Sequence, residues 1–364
     1  MDPFKRLIPY RRLLMIPSVM ISSVMISSVM MTAFMITAMF LSYGNSARAD
    51  TALREKTACV PPTYLARSWP ETDFSKCTID LGEIISGGPG KDGIPPLDSP
   101  QFIPLSEANI TDQEPVISLH QNDVAKAYPL SILIWHEIVN DEIAGLPVAV
   151  TYCPLCNTSV VFDRRHHGQL LDFGTTGSLR YSDLIMYDRQ TSSFWQQYAG
   201  NAIAGELAGT KLTIIPSRLE SLSQFKDRHP TGQILAIPTN FQRRYGANPY
   251  VGYDSSLFPF LFTGTVPDHI PPLERVVVFG DTAMTLSYVR QNAPVIYQDY
   301  RLNWQAGQAS ALDSVQIANG RDVGTVTVQQ TQPHGTLQDV PYKVTFAFVW
   351  HAFNPDQPII GLTP

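Results

Sequence analysis

Two cysteines carry the most reactive chemistry in the chain. Cys153 and Cys156 stand two residues apart within Val148-Ala149-Val150-Thr151-Tyr152-Cys153-Pro154-Leu155-Cys156-Asn157-Thr158-Ser159-Val160-Val161-Phe162-Asp163. Such a pair can hold a soft metal ion, exchange disulfides with a partner, or close into a plain staple. A thioredoxin-type site needs a helix behind the first cysteine, because the helix N-terminus lowers the thiol pKa. Here Asn-Thr-Ser-Val-Val-Phe-Asp follows Cys156, a poor helix start and a good strand. The spacing predicts a strand–turn–strand knuckle presenting two sulfurs.

A structural zinc site needs four ligands, and a second C-x-x-C is absent. The expected completing ligands are His136 first and Met186 as a weak one, with His166, His167 and His351 behind them. Thiolate, imidazole and thioether together suit copper better than zinc. Each has a plainer reading: His136 as a hydrogen-bonded core histidine, Met186 as core filler, and His166-His167 as a solvated turn. The pair itself has a plainer reading as a tight disulfide.

Other chemistries fail on spacing. Ser86-Gly87-Gly88-Pro89-Gly90-Lys91-Asp92 lacks the first glycine and the Ser/Thr of a phosphate loop. His136-Glu137-Ile138-Val139-Asn140 lacks the second histidine of a zinc-protease helix. Gly174-Thr175-Thr176-Gly177-Ser178 has the wrong order for a nucleophile elbow. Asp172, Asp183 and Asp188 with Tyr181, Tyr187 and Trp195 sketch a carbohydrate site, although acids beside turns usually pair with neighbours such as Arg180 and Arg189.

The elements that must position the sulfurs are mainly strands. Hydrophobic residues make up 44% of the 364 residues, enough for a sizeable core, while 29 prolines and 23 glycines favour turns and short strands. Strands are expected over Pro115–Leu119, Asp123–Tyr128, Val148–Tyr152, Thr158–Asp163, Gln169–Phe173 and Leu179–Asp188. Pro129–Trp135 is a short helix or a strand. Ser217-Arg218-Leu219-Glu220 reads as a capping box opening a helix to about Arg228. Later strands are expected at Val276–Phe279, Thr285–Val289, Pro294–Tyr297, Val323–Gln329 and Lys343–Trp350. The expected fold is α+β but predominantly β: one antiparallel, meander-rich domain over 81–364 with a few short helices, preceded by an irregular arm over 50–80.

Residues 1–49 are read as a leader. Lys5, Arg6, Arg11 and Arg12 precede an uncharged run, Leu13–Leu41, and Ala47-Arg48-Ala49 offers a cleavage site. The run is also long enough to span a bilayer, so residues 13–42 are the one expected membrane contact if they are retained. Either outcome is extracytoplasmic, periplasmic or secreted. Without residues 1–49 the chain has 21 basic and 31 acidic residues, a net charge of −10, which excludes nucleic acid as an expected partner. In an oxidising compartment, Cys59 and Cys77 are expected to form a disulfide.

Several blocks resemble one family. They are Asp92-Gly93-Ile94-Pro95-Pro96, Ala127-Tyr128-Pro129-Leu130, Trp135-His136-Glu137-Ile138-Val139-Asn140-Asp141, Thr151–Cys156, Ser182–Thr191, Phe194–Gln197, Tyr245-Gly246, Asn248-Pro249-Tyr250 and Phe348–Phe353. Together they are similar to the prokaryotic "domain of unknown function 3179" proteins over roughly residues 80–355. The resemblance implies an exported bacterial or archaeal protein and implies no activity. Phe346-Ala347-Phe348-Val349-Trp350 departs from that family's more aromatic pattern. The residues lead to an exported protein whose Cys153/Cys156 pair, with His136 and Met186, binds copper or zinc in a redox-related role. The alternatives are a thiol–disulfide oxidoreductase and a binding module with a structural disulfide.

Overall fold

Cys153 ends one strand and Thr158 begins the next, and both belong to a five-stranded sheet. Its order is Ile214–Ile215, Thr158–Asp163, Leu146–Cys153, Ile138–Ile143 and Leu97–Asp98. The computed structural model describes residues 59–362, so the leader or anchor reading of residues 1–49 lies outside the described residues. The described residues are mostly β, with five small sheets in a propeller-like ring and a two-stranded hairpin of Arg165–His166 and Gln169–Leu170 besides.

The second sheet runs Ile85–Ser86, Phe173–Arg180, Asp183–Asp188, Phe194–Gln196 and Asn201–Ala204. A third holds Arg218–Ser221, Pro115–Gln121, Val124–Pro129, Gln233–Leu235 and Phe102–Pro104. A fourth holds Tyr342–Phe346, Arg275–Phe279, Thr282–Thr285 and Ile359–Ile360. The fifth holds Val295–Tyr297, Tyr300–Gln305, Thr325–Thr331 and Leu337–Asp339.

Pairing is mainly antiparallel between sequence neighbours, as a meander requires. Three pairings are parallel: Gln233–Leu235 on Val124–Pro129, Ile359–Ile360 on Thr282–Thr285, and Leu97–Asp98 on Ile138–Ile143. These short strands return from distant parts of the chain, which periodicity within one segment cannot foresee. Because the Val- and Ile-rich strands are buried on both faces, they read as continuous apolar runs rather than alternating ones.

A strand running straight into a one- or two-turn helix recurs. Pro129-Leu130-Ser131, Ser221-Leu222-Ser223 and Thr285-Leu286-Ser287 each open a seven-residue helix, and Pro104-Leu105-Ser106 opens a 3-10 turn. Pro, Ser or Thr at the boundary stops the strand or caps the helix, and the leucine packs inward. Ser221 and Gln224 form the capping box, four residues later than the Ser217–Glu220 pattern suggests. The reason is local. Leu219 and Glu220 pair with Ile117 and Val116, and the Glu220 carboxylate is taken by Ser118 and Arg228, so this segment stays in the sheet. The Leu179–Asp188 run also breaks in two, at a turn on Tyr181-Ser182.

The arm carries a helix, Thr63–Ser68, and its Trp69 and Phe74 stack edge-on against Tyr187 and Phe194 at 4.7–5.5 Å. Cys59 and Cys77 are joined as a disulfide, as expected. Cys77 bridges to Ala204, so the arm extends the second sheet. Among the described residues no helix is long and apolar enough to cross a membrane.

One buried acid gives the fold a pH dependence. Glu114 accepts a hydrogen bond from the Ser131 backbone N–H at 2.9 Å, at the start of the helix Leu130–His136. Burial pushes its carboxyl up from 4.5 to about 7. The folded state therefore holds this proton where the unfolded chain has lost it, and stability falls as pH rises from about 4.5 to about 7. Glu114→Gln keeps the acceptor without the charge. It is expected to raise urea-unfolding stability by up to roughly 3 kcal/mol at pH 8 and to change little at pH 4. An equal effect at both pH values would show that the carboxyl does not titrate in this window.

Candidate metal centre

The knuckle is fastened from behind. Asn157 closes the turn, donating to Pro154 O at 3.1 Å with its own φ at +51°. Cys156 O accepts from the Phe346 backbone N–H at 3.1 Å and from the Thr345 hydroxyl at 3.2 Å, and the Thr158 hydroxyl donates to Thr345 Oγ1 at 2.7 Å. Strand Tyr342–Phe346 of the fourth sheet therefore fixes where the sulfurs sit.

Facing the sulfurs is the Tyr181-Ser182 turn of the second sheet. Ser182 O lies 3.5 Å from Cys153 Sγ and 3.3 Å from Cys156 Sγ. Asp183 Oδ1 lies 3.3 Å from Cys156 Sγ. Among the described residues, Cys153, Cys156 and Asp183 form a cluster of metal-ligating side chains with ligand atoms all within 4.8 Å of one another. Both thiols are free, at 2% and 0% exposure, and Asp183 is fully buried.

Backbone strain gathers at this point. Tyr181 and Ser182 both have positive φ, at 55° and 64°, in a two-residue turn that usually takes Asn-Gly. Glu137 at +59° and Asn157 at +51° do the same nearby. Non-glycine residues in this region cost energy and persist where the surroundings impose them. The effect here is to aim the Ser182 carbonyl at both sulfurs.

The electrostatics suit a metal-free site of neutral thiols around one carboxylate. Burial pushes both cysteine thiols up, Cys156 further because of Cys153 and Asp183 beside it. Burial also raises Asp183 to about 6, against the hydrogen bonds that hold its charge. Its Oδ2 accepts from Gln196 Nε2 at 2.5 Å and from the Tyr198 backbone N–H at 2.8 Å. Tyr198 O in turn accepts from Lys343 Nζ at 2.5 Å, and that ammonium sits 3.9 Å from the Tyr198 ring centre. Desolvation lowers Lys343 to about 8, with Asp183 as the opposing negative charge. Glu137, whose backbone carbonyl accepts from Tyr152 N–H at 2.8 Å, is raised to about 8 by burial and then by Asp183. Gln196 Oε1 and Gln197 Oε1 are buried without a hydrogen-bond partner.

A loop covers the front. Tyr253 OH donates to Leu155 O between the two cysteines at 2.9 Å, and Phe260 N–H donates to Tyr253 OH at 3.3 Å. The Ser182 hydroxyl donates to Phe260 O at 2.8 Å.

The expected histidine does not join. His136 is fully buried, but Nδ1 meets Pro95 O at 2.7 Å and Nε2 meets Tyr245 OH at 2.8 Å. Both nitrogens are engaged, burial lowers the ring's pKa, and the ring packs on Phe241 and Tyr245. This is the hydrogen-bonded core histidine of the plainer reading. Met186 is fully buried in its strand opposite Trp195 and Thr175, in the apolar core. His166 meets Thr210 Oγ1 at 2.9 Å and the Trp195 ring edge, with His167 beside it. His351 lies on the helix Ala347–Phe353.

The carbohydrate-like acids disperse as well. Asp188 accepts from Trp195 Nε1 and Thr191, Tyr187 OH donates to Asp92, and Asp172 pairs with Arg164. Asp183 is the one of them that reaches the sulfurs. The sequence reading did not bring Asp183, Ser182 or Lys343 to the sulfurs. The available signal was Ser182-Asp183 at the head of a strand, hidden because Leu179–Asp188 looks continuous.

No curated protein and no solved structure matches the chain. The model of the family described as "Protein of unknown function (DUF3179)" matches residues 91–357, which include the knuckle, the Tyr181-Ser182 turn, Asp183 and Lys343. The chain belongs to this family.

Proposed function

We propose that Cys153, Cys156, Asp183 and the Ser182 carbonyl bind one divalent transition-metal ion. The spacing of the four donors carries this reading. Tetrahedral bonds of about 2.3 Å to sulfur and 2.0 Å to oxygen place sulfur and oxygen about 3.5 Å apart. Three of the four sulfur–oxygen separations are 3.3, 3.3 and 3.5 Å, and all the side-chain ligand atoms lie within 4.8 Å of one another.

The donor set moves the expected metal. Copper was favoured by imidazole and thioether, and the set assembled here is two sulfurs and two oxygens, which suits zinc better. Charge points the same way. Two thiolates and a carboxylate around a divalent ion leave one negative charge, and Lys343 offsets it, whereas a monovalent ion would leave the enclosed group negative. A buried, four-donor site is a structural centre, joining the knuckle to the Tyr181–Asp183 turn across two sheets. Any redox role then belongs to the sulfurs, since zinc has none. Thiol exchange with a partner is poorly served by sulfurs at 2% and 0% exposure with raised pKa values.

The same reading keeps the folded part outside the cytoplasm, supported by the Ala47-Arg48-Ala49 site and the Cys59–Cys77 disulfide. Elemental analysis of protein purified without chelator tests the metal. About one equivalent is expected in the wild type and none in Cys153→Ser/Cys156→Ser, and cobalt loading should give tetrahedral thiolate spectra. Equal, negligible metal in both proteins would overturn the reading.

A further inference from the structure

The loop over the sulfurs has an outer side as well as an inner one. Between Asp254 and Asp268 the chain carries no charged residue. Within this run Leu257, Phe258 and Phe260 are 79%, 76% and 59% exposed. Water-exposed leucine and phenylalanine side by side are costly, and on a surface of net charge −10 they form an isolated apolar tip. These exposed side chains do not hold the loop in place; the backbone of Phe260 and the Tyr253 hydroxyl do. The loop is fastened through Tyr253 OH to Leu155 O and through Phe260 O to the Ser182 hydroxyl.

We propose that the tip Leu257–Phe260 is a membrane-docking wedge that enters the interface of a neutral lipid bilayer. Its size decides between occupants. Three large side chains at these exposures offer roughly 400 Å² of apolar surface. A stable protein interface needs about 800 Å² from each partner, so the tip is too small for a second copy of the chain. Its lack of charge suits neutral lipid, and the acidic surface disfavours anionic headgroups.

The chain before the fold supports the same occupant. Leu13–Leu41 is uncharged and long enough to span a bilayer, and 17 residues separate Leu41 from Cys59. Seventeen residues reach at most about 60 Å. A chain retained by that stretch is already held at a bilayer, which raises the effective concentration of lipid for the tip. Where residues 1–49 are removed, the tip alone gives reversible binding. In both cases the face that docks is the face that covers the sulfurs. The inference does not depend on whether a metal is bound.

Tryptophan depth measurement tests it. Phe258→Trp places a reporter at an exposed position, and the signal of the five native tryptophans is subtracted using the wild type. The protein, as the cell leaves its N-terminus, is combined with phosphatidylcholine vesicles, with or without bromine on the upper acyl chain. The expected result is a blue shift on vesicle addition and at least twofold quenching by brominated lipid. Adding Leu257→Ser and Phe260→Ser, both on exposed side chains, is expected to abolish both. Emission that stays water-like and insensitive to bromine would overturn the proposal. So would a blue shift that follows protein concentration without lipid, which would assign the tip to a second copy.

Discussion

Asp183→Asn is expected to weaken metal binding at least about a hundredfold while the metal-free protein stays folded. The two halves of this result separate a ligand from a structural acid. An amide oxygen can keep the hydrogen bonds from Gln196 Nε2 and the Tyr198 N–H, while the amide nitrogen faces Cys156 Sγ as a donor instead of an acceptor. Burial already raises the Asp183 carboxyl to about 6, above its ordinary 3.8, so near neutral pH the folded state carries a charge that its surroundings oppose. Replacing it by a neutral isostere removes that opposition. Metal-free stability at pH 7.5 is therefore expected to be no lower than in the wild type.

The metal half works in the opposite direction. Loss of a charged ligand should exceed the 10- to 100-fold cost typical of a residue that only orients a ligand. At a fixed metal concentration well above Kd, a hundredfold loss removes about 2.7 kcal/mol of the stabilisation the metal confers. Competition with a chromophoric chelator gives the affinity, and urea unfolding with and without metal gives the linkage. Equal affinity in Asp183→Asn and wild type, with none in the double serine variant, would reduce Asp183 to a hydrogen-bond acceptor for Cys156.

The sulfur half of this site was legible in the sequence and the oxygen half was not. Val148–Tyr152 and Thr158–Asp163 are dense in β-branched and aromatic residues, and they form adjacent antiparallel strands with Cys153 opposite Thr158. A C-x-x-C between two such runs can hardly be anything but a knuckle. Asp183 depends on a turn at Tyr181-Ser182, where neither residue announces the left-handed backbone it adopts. Sequence reasoning weighs residue types, and by type His136 and Met186 are the better ligands. Their positions are settled by other contacts: Pro95 O and Tyr245 OH claim both nitrogens of His136, and core packing surrounds Met186.

The fold shows the same division. Predominant β structure and short helices follow from composition and from runs such as Pro115–Leu119. The ring of five sheets does not, because its sheets are completed by two- and three-residue strands such as Leu97–Asp98, Ile359–Ile360 and Phe102–Pro104. Such strands are defined by their partners and carry almost no periodicity. The Leu-Ser step after a Pro, Ser or Thr recurs at residues 104–106, 129–131, 221–223 and 285–287, and it is a repeat that the sequence displays openly. Its meaning appears only when each copy is seen turning a strand into a helix or a helical turn.

Asp254→Ala is expected to cost about 3–5 kcal/mol of stability. Asp254 is fully buried and accepts from Arg275 Nη2 at 2.9 Å, Ser310 Oγ at 2.5 Å and Arg321 Nη1 at 2.8 Å. Desolvation lowers the Arg275 pKa, and Asp254 is the main charge opposing that shift. Arg275 Nη1 is already buried without a partner, so this guanidinium has no reserve. Taking Asp254 away leaves a buried cation uncompensated, and such a charge costs more than the pair is worth. Arg321→Ala should cost less than about 1 kcal/mol, because that side chain is 45% exposed and water replaces what it loses. Asp254→Leu/Arg275→Met, which removes both charges, should recover most of the loss. Urea midpoints at constant slope measure all three. A loss below about 1 kcal/mol in Asp254→Ala would show that water reaches Arg275 and that the charge is not enclosed. Asp254 also follows Tyr253, whose hydroxyl holds the loop onto Leu155 O, so the same substitution should loosen the cover over the two sulfurs. Faster alkylation of Cys153 and Cys156 under fully native conditions, in the metal-free protein, is the expected sign.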